Sequence, residues 1–294
     1  MALNKEVFKT RALTALIFVA VMLVGLLWNF GSFLVLFTII HFGCWYEYLN
    51  IVEKIYSKKF SFNYRLSLMF GAAAIALCFQ FFNWFIEGYS FVNFFIPAFG
   101  IVSFIYLLLS IMQMKKEIFS KQSFSALMGV LYISFPIGML IWMYNSAGFP
   151  NENRCLRLFE YYLIFFIILS IWINDTMAYL VGSFIGKTPF SKISPKKTWE
   201  GTIGGVVLCI IFMGLLGNFM TPLNQVPVRH WVIIAALCAI FGTLGDLLES
   251  KIKRTANIKD SGSFMPGHGG FLDRFDSLLI AAPVVWVYFR VFVL

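Results

Sequence analysis

The residues best suited to chemistry are concentrated between Ser250 and Asp276, in the segment SKIKRTANIKDSGSFMPGHGGFLDRFD. Asp273 and Asp276 are three residues apart, so a helix over the apolar run 271–294 would place both carboxylates on one face, within reach of one cation. Paired carboxylates suit Mg²⁺, which completes its coordination with water and phosphate oxygens. The spacing therefore predicts a magnesium site.

The same segment predicts an anion site beside the cation site. Gly267, Gly269 and Gly270 surround His268 and allow the backbone to adopt positive φ and approach a ligand closely. If Gly270 ends the loop and a helix follows, the free amides of the helix would favour an anion. The segment also carries five basic residues, which are Lys251, Lys253, Arg254, Lys259 and Arg274. Together these features indicate binding of a nucleotide phosphate with a metal; the alternative for His268 is a hydrogen bond to the loop backbone alone.

The segment resembles the signature of the phosphatidate cytidylyltransferases, also called CDP-diacylglycerol synthases. The matching residues are Ser250, Lys253, Arg254, Lys259, Asp260, Gly262, Pro266, His268, Gly269, Gly270, Asp273, Arg274 and Asp276. Met265 departs from the family, which usually has Leu, Ile or Phe there. The resemblance implies that CTP and phosphatidic acid react to give CDP-diacylglycerol and pyrophosphate.

Polar residues also interrupt the apolar run near residues 159–182. Asn174 and Asp175 lie in the sequence WINDTMAY, and carboxylates within membrane segments usually face a partner, a cavity or a catalytic site. The alternative is a buried Asp175 that bonds to Thr or Tyr for packing alone. The family resemblance extends to this stretch and favours a role in substrate binding for both residues.

A second polar loop, GKTPFSKISPKKTWEG, covers residues 186–201. Ser194 and Pro195 read as the N-cap and first residue of a helix, which would place Lys196 and Lys197 beside free amides. Lysines there would bind phosphate as point charges. The alternative is an ordinary basic cytoplasmic loop, but the order SPKKTWEG is similar to the family's second conserved segment.

The end of the eighth apolar run adds a further group of polar residues. Helical spacing places Asp246, Glu249 and Ser250 on one face. Glu249 has the alternative of an ion pair with Lys253, four residues later. For Asp246 the family match favours a role in binding metal or nucleotide.

We therefore expect three classes of site residue. The expected metal ligands are Asp246, Asp273 and Asp276. The expected catalytic residues are these three with Lys253, Arg254 and His268. The expected substrate-binding residues are Asn174, Asp175, Ser194, Lys196, Lys197, Thr198, Glu200, Ser250, Lys259, Asp260, Gly269, Gly270 and Arg274. The expected cofactor is Mg²⁺, and a second cation such as K⁺ is left open.

The composition indicates that membrane helices position these residues. The chain has 294 residues, of which 60% are hydrophobic and 13% charged, with a mean hydropathy of +0.82, whereas soluble domains have about 25% charged residues. The net charge of +9 does not indicate nucleic-acid binding, because the basic residues fall between apolar runs. The five cysteines include no CxxC spacing, so neither a disulfide framework nor a zinc site is predicted.

Apolar windows predict an all-α protein with about nine transmembrane helices. Two lie within residues 12–46 and turn near Trp28–Gly31, the first being an uncleaved span; the others lie near residues 66–86, 91–112, 124–144, 159–182, 202–220, 230–249 and 272–294. Alternate connections hold every Lys and Arg except Arg154, Arg157, Arg229 and Arg290. This bias predicts a cytoplasmic N-terminus and an outside C-terminus.

The resulting organisation has two regions. Residues 1–157 would form spans 1–5, and residues 158–294 would form the catalytic region of spans 6–9, with cytoplasmic loops 184–201 and 250–274. We expect a multi-pass protein of a bacterial inner membrane, with its active site on the cytoplasmic face, CTP, phosphatidic acid and the bilayer as partners, and a homodimer left open. The functional alternatives are a CTP-dependent lipid kinase, a transporter that uses the intramembrane carboxylates, and an inactive structural relative.

Overall fold

The protein is built from helices. The computed structural model describes residues 5–87, 120–146, 154–224, 226–264 and 269–293, and within these ranges an isolated bridge between Pro189 and Thr198 accompanies the helices. The helices are α1 (Lys5–Leu27), α2 (Phe30–Tyr56), α3 (Phe62–Glu87), α4 (Lys121–Gly129), α5 (Phe135–Ser146), α6 (Arg154–Ile185), α7 (Trp199–Asn224), α8 (Val228–Thr255) and α9 (Leu272–Phe292). The predicted all-α class is confirmed, and the predicted span at residues 91–112 lies outside the described ranges.

The chain turns between α1 and α2 at Asn29, within the predicted Trp28–Gly31 segment. The Oδ1 atom of Asn29 accepts a hydrogen bond from the Ser32 backbone N–H at 2.9 Å, and the Ser32 hydroxyl oxygen accepts one from the Asn29 N–H at 3.1 Å. This reciprocal pair is a capping box, which satisfies amides that a helix start leaves open. The cap explains how two helices fit into this continuous apolar run.

Several helices are suited to a membrane. In the described ranges, six are long and apolar enough to cross one: α2, the continuous helix Lys121–Tyr144, α6 from Tyr162, α7 to Thr221, α8 and α9. Large apolar side chains on them are exposed, such as Phe184 at 83% and Phe219 at 72%. Exposed apolar side chains of this size on long apolar helices suit contact with lipid. These features support a multi-pass membrane protein.

The described residues form two compact units. The first unit comprises Met1–Trp142 and Ile252–Phe275. Its core includes α2 and a π-helical segment, Val130–Ser134, that joins α4 to α5. The buried hydroxyl of Ser134 accepts a hydrogen bond from the Trp45 indole and lies 2.9 Å from Nε2 of His41.

The second unit comprises Met143–Lys251 and Asp276–Leu294. Here α6 and α7 approach closely at small residues: a Cβ atom at Gly205 would lie 2.8 Å from the Asn174 carbonyl oxygen, and one at Gly201 would lie 2.7 Å from the Ala178 carbonyl oxygen. Small residues four apart allow such backbone contact between membrane helices. This close packing brings the end of α6 near the start of α7, and the loop of residues 186–198 joins the two helices.

Candidate functional site

Three acidic side chains of the second unit come together where α8 meets α9. One carboxylate oxygen each from Asp246, Glu249 and Asp276 lies within 4.8 Å of the others. Glu249 is fully buried and Asp276 is 7% exposed. A Cβ atom at Gly245 would lie 2.5 Å from the Asp276 carbonyl oxygen, so this glycine allows the two helices to approach. The arrangement gives a set of three hard oxygen donors.

Two further groups contact the acidic cluster. The Lys197 ammonium forms an ion pair with Asp246, and the Ser250 hydroxyl donates a hydrogen bond to Oδ1 of Asp246 at 3.2 Å. The contact to Ser250 confirms that Asp246 and Ser250 share a helical face. Three carboxylates this close repel one another unless a cation lies among them, and oxygen donors are the ligands that Mg²⁺ prefers. The donor set therefore fits Mg²⁺.

Glu200 organises the loop that carries Lys197. Its carboxylate accepts hydrogen bonds from the backbone N–H groups of Lys187 and Thr188 at 3.2 Å and from the Thr188 hydroxyl at 2.8 Å. The bridge between Pro189 and Thr198 closes the loop behind these contacts. Glu200, predicted to bind substrate, contacts its own loop here; its substrate role stays a prediction.

The predicted helix start at Ser194 is wrong. Residues 195 and 196 form a turn closed by a hydrogen bond from the Lys197 N–H to the Ser194 carbonyl at 3.1 Å. The helix α7 begins at Trp199, and its cap is the Thr198 hydroxyl, which accepts from the Gly201 N–H at 3.2 Å. The bridge at Thr198 holds the chain extended, which prevents a helix from starting earlier.

Asn174 and Asp175 differ in burial. Asn174 is 2% exposed, and its Nδ2 donates to Oδ1 of Asp175 at 3.3 Å and to the Thr243 hydroxyl at 3.5 Å. The Oδ1 atom of Asn174 is buried without a hydrogen-bond partner among the described residues. Asp175 is exposed. The substrate-binding role of both residues stays a prediction.

In the first unit, Asp273 is surrounded by donors. Its Oδ1 accepts from the Lys253 ammonium at 2.5 Å. Its Oδ2 accepts from the Gly270 N–H at 2.7 Å, the Ser261 N–H at 3.0 Å and the Ser261 hydroxyl at 2.9 Å. Lys253 therefore pairs with Asp273, and the ion pair between Lys253 and Glu249 stays an untested alternative. The metal role of Asp273 stays a prediction.

The predicted anion site at the start of α9 contains a protein carboxylate. The helix begins at Leu272, close to the expected position. The N–H groups of Phe271 and Leu272 donate to Glu47 of α2 at 3.0 and 2.9 Å. The expectation that these amides are free for a substrate anion is therefore wrong, because Glu47 already binds them.

The other predicted residues of the 250–274 loop are mainly exposed. Arg254, Lys259, Asp260 and Arg274 are exposed, and Arg254 donates to the Ile258 carbonyl at 3.2 Å. Lys196 is exposed in the second unit. Gly269 has φ of +82°, as a glycine-dependent turn requires. His268, Gly267, Pro266 and Met265 lie outside the described residues.

Two acidic residues were absent from the expected site. Glu249 was recognised on the face of Asp246 but was not assigned to the metal. Glu47 was missed, although a carboxylate that follows a long uncharged run to Tyr46 is itself a signal, because carboxylates in membrane segments usually have a partner.

Comparison with known proteins agrees with the signature. A family model described as the cytidylyltransferase family matches residues 9–292. Among curated relatives, the phosphatidate cytidylyltransferase of Thermotoga maritima is 35% identical over 166 residues, which are 55% of this chain. That of Bacillus subtilis is 39% identical over 144 residues, 48% of this chain, and that of Haemophilus influenzae is 34% identical over 187 residues, 56% of this chain.

These matches cover part of each relative. The chain spans 57%, 52% and 65% of the length of the three proteins, respectively. The family model, in contrast, covers nearly all of this chain, including both polar loops and the acidic cluster. The chain therefore belongs to the cytidylyltransferase family.

Proposed function

We propose that the protein transfers CMP from CTP to phosphatidic acid, giving CDP-diacylglycerol and pyrophosphate for phospholipid synthesis. The observation that supports this most directly is the group of Asp246, Glu249 and Asp276, two of them buried, with Lys197 beside it. A cation site with an adjacent lysine suits the phosphates of a nucleotide. Family membership and the relatives named phosphatidate cytidylyltransferase support the choice of both substrates.

The reaction needs no dedicated base. A phosphate oxygen of phosphatidic acid attacks the α-phosphorus of CTP, and the bond from that phosphorus to the oxygen bridging to the β-phosphorus breaks. The phosphate monoester is already an anionic nucleophile near neutral pH. The protein must hold two anions in line and stabilise the charge of the leaving pyrophosphate, which is a task of positioning and electrostatics.

Basic residues supply much of this stabilisation. Lys197 lies on the loop that Glu200 stabilises and forms an ion pair with Asp246 of the acidic cluster. There it would bind a phosphate oxygen. Lys253, held by Asp273, and the exposed cations of the same loop would bind triphosphate or lipid phosphate. These exposed cations are Arg254, Lys259 and Arg274. Arginine and lysine both suit phosphate, arginine by a bidentate fork and lysine as a point charge.

Asp246, Glu249 and Asp276 would hold Mg²⁺. When bound, Mg²⁺ neutralises charge on the triphosphate and on the leaving pyrophosphate. Glu249 joins this set because one of its carboxylate oxygens lies within 4.8 Å of an oxygen of each of the other two. That Asp273 is also a ligand, and that a second cation such as K⁺ binds, are predictions.

We further propose nine spans, with the N-terminus in the cytoplasm, the C-terminus outside, and the active site on the cytoplasmic face of a bacterial inner membrane. Water-soluble CTP can meet a lipid headgroup there while the acyl chains remain in the bilayer. The distribution of Lys and Arg supports this orientation. A homodimer is compatible with the exposed apolar helices, which suit either lipid or a second copy.

The test is to incubate purified protein with Mg²⁺, phosphatidic acid and CTP labelled at the α or the γ position. We expect the α label to enter the lipid and the γ label to leave as pyrophosphate. Transfer of the γ label to lipid would indicate a CTP-dependent kinase. Absence of CTP consumption would contradict both enzymes and favour a transporter or an inactive relative.

A further inference from the structure

Glu47 of α2 contacts the loop of residues 250–274, here named the signature loop, although it lies more than 200 residues away in the sequence. Its Oε1 accepts from the Phe271 N–H at 3.0 Å, and its Oε2 accepts from the Leu272 N–H at 2.9 Å and the Ser261 hydroxyl at 2.7 Å. The side chain is buried, with Glu47 only 5% exposed. All of these residues belong to the first unit.

The contacts explain why a carboxylate is buried at this position. Burying a charge is costly unless donors replace its water. The first amides of a helix have no partner within the helix, and the helix dipole favours a negative charge beside them. Glu47 and the start of α9 therefore satisfy each other, so that Glu47 caps a helix from a distant part of the chain.

The backbone of the loop packs directly on this carboxylate. A Cβ atom at Gly262 or Gly270 would overlap the Glu47 side chain, and one at Gly43, a turn earlier on α2, would lie 2.5 Å from the Phe271 ring. Glycine at these positions is therefore required by close approach. The face of α2 formed by Gly43 and Glu47 therefore contacts the loop at Gly262, Gly270 and Phe271.

The support continues to the charged residues of the loop. The Ser261 hydroxyl lies between two carboxylates, 2.7 Å from Glu47 and 2.9 Å from Asp273. Its one hydrogen can be donated to only one of them at a time. Asp273 in turn accepts from Lys253 at 2.5 Å. A connected set thus runs from Glu47 through Ser261 and Asp273 to Lys253.

We propose that Glu47 is a positioning residue for nucleotidyl transfer: it fixes the signature loop and, through Ser261 and Asp273, the ammonium of Lys253. This inference rests on the proposed function. Glu47 itself does not touch substrate in this role. Both carboxylate oxygens of Glu47 accept hydrogen bonds. Glutamine has the same shape but only one acceptor oxygen, so it cannot replace Glu47.

The test is Glu47→Gln, with Glu53→Gln as the matched control. Glu53 lies on the same helix and accepts from the Phe60 N–H and from Arg65, both at 3.0 Å, but does not hold the loop. We expect Glu47→Gln to lower kcat/KM per folded molecule by about tenfold or more, since one buried donor loses its acceptor. Hydrogen exchange should accelerate in peptides that contain Phe271 and Leu272, and Glu53→Gln should change neither quantity.

Two results would overturn the inference. One is that Glu47→Gln and Glu53→Gln have the same kcat, the same KM for each substrate and the same rate of hydrogen exchange in the loop. A residue with a purely structural role would give this result, because its substitution changes only the folded fraction. The other is rapid exchange of the Phe271 and Leu272 amides in the unsubstituted protein. If Glu47→Gln does not fold, Ser261→Ala decides: reduced turnover supports the inference, and unchanged turnover contradicts it. Failure of the unsubstituted protein to form CDP-diacylglycerol would reject the proposed function, while the exchange comparison would still decide whether Glu47 holds the loop.

Discussion

The cluster of Asp246, Glu249 and Asp276 concentrates negative charge at a place where two of the three side chains are buried. Two unit charges about 5 Å apart repel by on the order of 3 kcal/mol when the effective dielectric constant is about 20. That is a large fraction of the ~5–15 kcal/mol by which a typical domain is stable. Lys197 offsets part of this repulsion through its ion pair with Asp246. A bound divalent cation would offset more, so cation binding and stability should be coupled.

The effect of Mg²⁺ on the melting temperature shows whether Glu249 or Asp273 is the metal ligand. Without CTP, Mg²⁺ should raise the melting temperature of the unsubstituted protein by a few degrees, because a ligand that binds only the folded state stabilises it. Glu249→Gln should lose this increase, since one of the three donors is gone. Asp273→Asn should keep it, since Asp273 binds Lys253 and Ser261. The measurement is thermal unfolding with and without Mg²⁺.

Activity provides the second part of that test. Both substitutions should reduce CDP-diacylglycerol formation by about a hundredfold, Glu249→Gln because the cation site loses a donor and Asp273→Asn because Lys253 loses its carboxylate partner. The opposite pattern of melting temperatures, with the Mg²⁺ effect lost in Asp273→Asn and kept in Glu249→Gln, would restore Asp273 as the ligand and remove Glu249.

At the scale of elements, the loop of residues 186–198 depends on Glu200, an acidic residue at the start of α7. Glu200 binds the Lys187 and Thr188 amides and the Thr188 hydroxyl. Glu200→Gln replaces one acceptor oxygen with an amide group, so the loop should open more often. Trypsin should then cleave after Lys187, Lys192 or Lys196 severalfold faster, because cleavage follows the population of the open form.

The control for this experiment is Ser191→Ala. The Ser191 hydroxyl accepts from the Ile193 N–H at 3.2 Å within the same loop and does not contact Lys187 or Thr188 through that bond. Its cleavage rate should stay near that of the unsubstituted protein. Equal rates for Glu200→Gln and the unsubstituted protein would show that the bridge between Pro189 and Thr198 closes the loop without Glu200.

The sequence predicted the positions of helices more successfully than the contacts that distant residues make with them. Apolar length and the polar turn at Asn29 were sufficient to place α1 and α2, because both signals are local. Ser194 failed as an N-cap because pairing of Pro189 with Thr198, nine residues apart, overrides local preference. Glu47 could not be assigned to the signature loop, because their contact depends on how α2 packs against a segment more than 200 residues later.

At the scale of the whole molecule, the Lys and Arg residues distinguish the cytoplasmic ends of the proposed spans from the outer ends. Basic connections are retained on the cytoplasmic side of bacterial membranes, and the four basic residues outside that set are Arg154, Arg157, Arg229 and Arg290. The two polar loops, residues 184–201 and 250–274, both belong to the basic set. The charge pattern that orients the chain therefore also supplies the cations proposed to bind phosphate.

Orientation leads to a prediction about the two termini. An odd number of spans places them on opposite sides, so a C-terminal epitope tag should be digested by protease added to intact spheroplasts, whereas an N-terminal tag should be protected until the membrane is permeabilised. The reason is the basic group Lys5, Lys9 and Arg11 before the first span, against the single Arg290 near the end of the last. A cytoplasmic protein followed in the same samples shows that the spheroplasts are intact. Digestion of both tags, or protection of both, would require an even number of spans and would remove either the segment near residues 91–112 or α1 from the membrane.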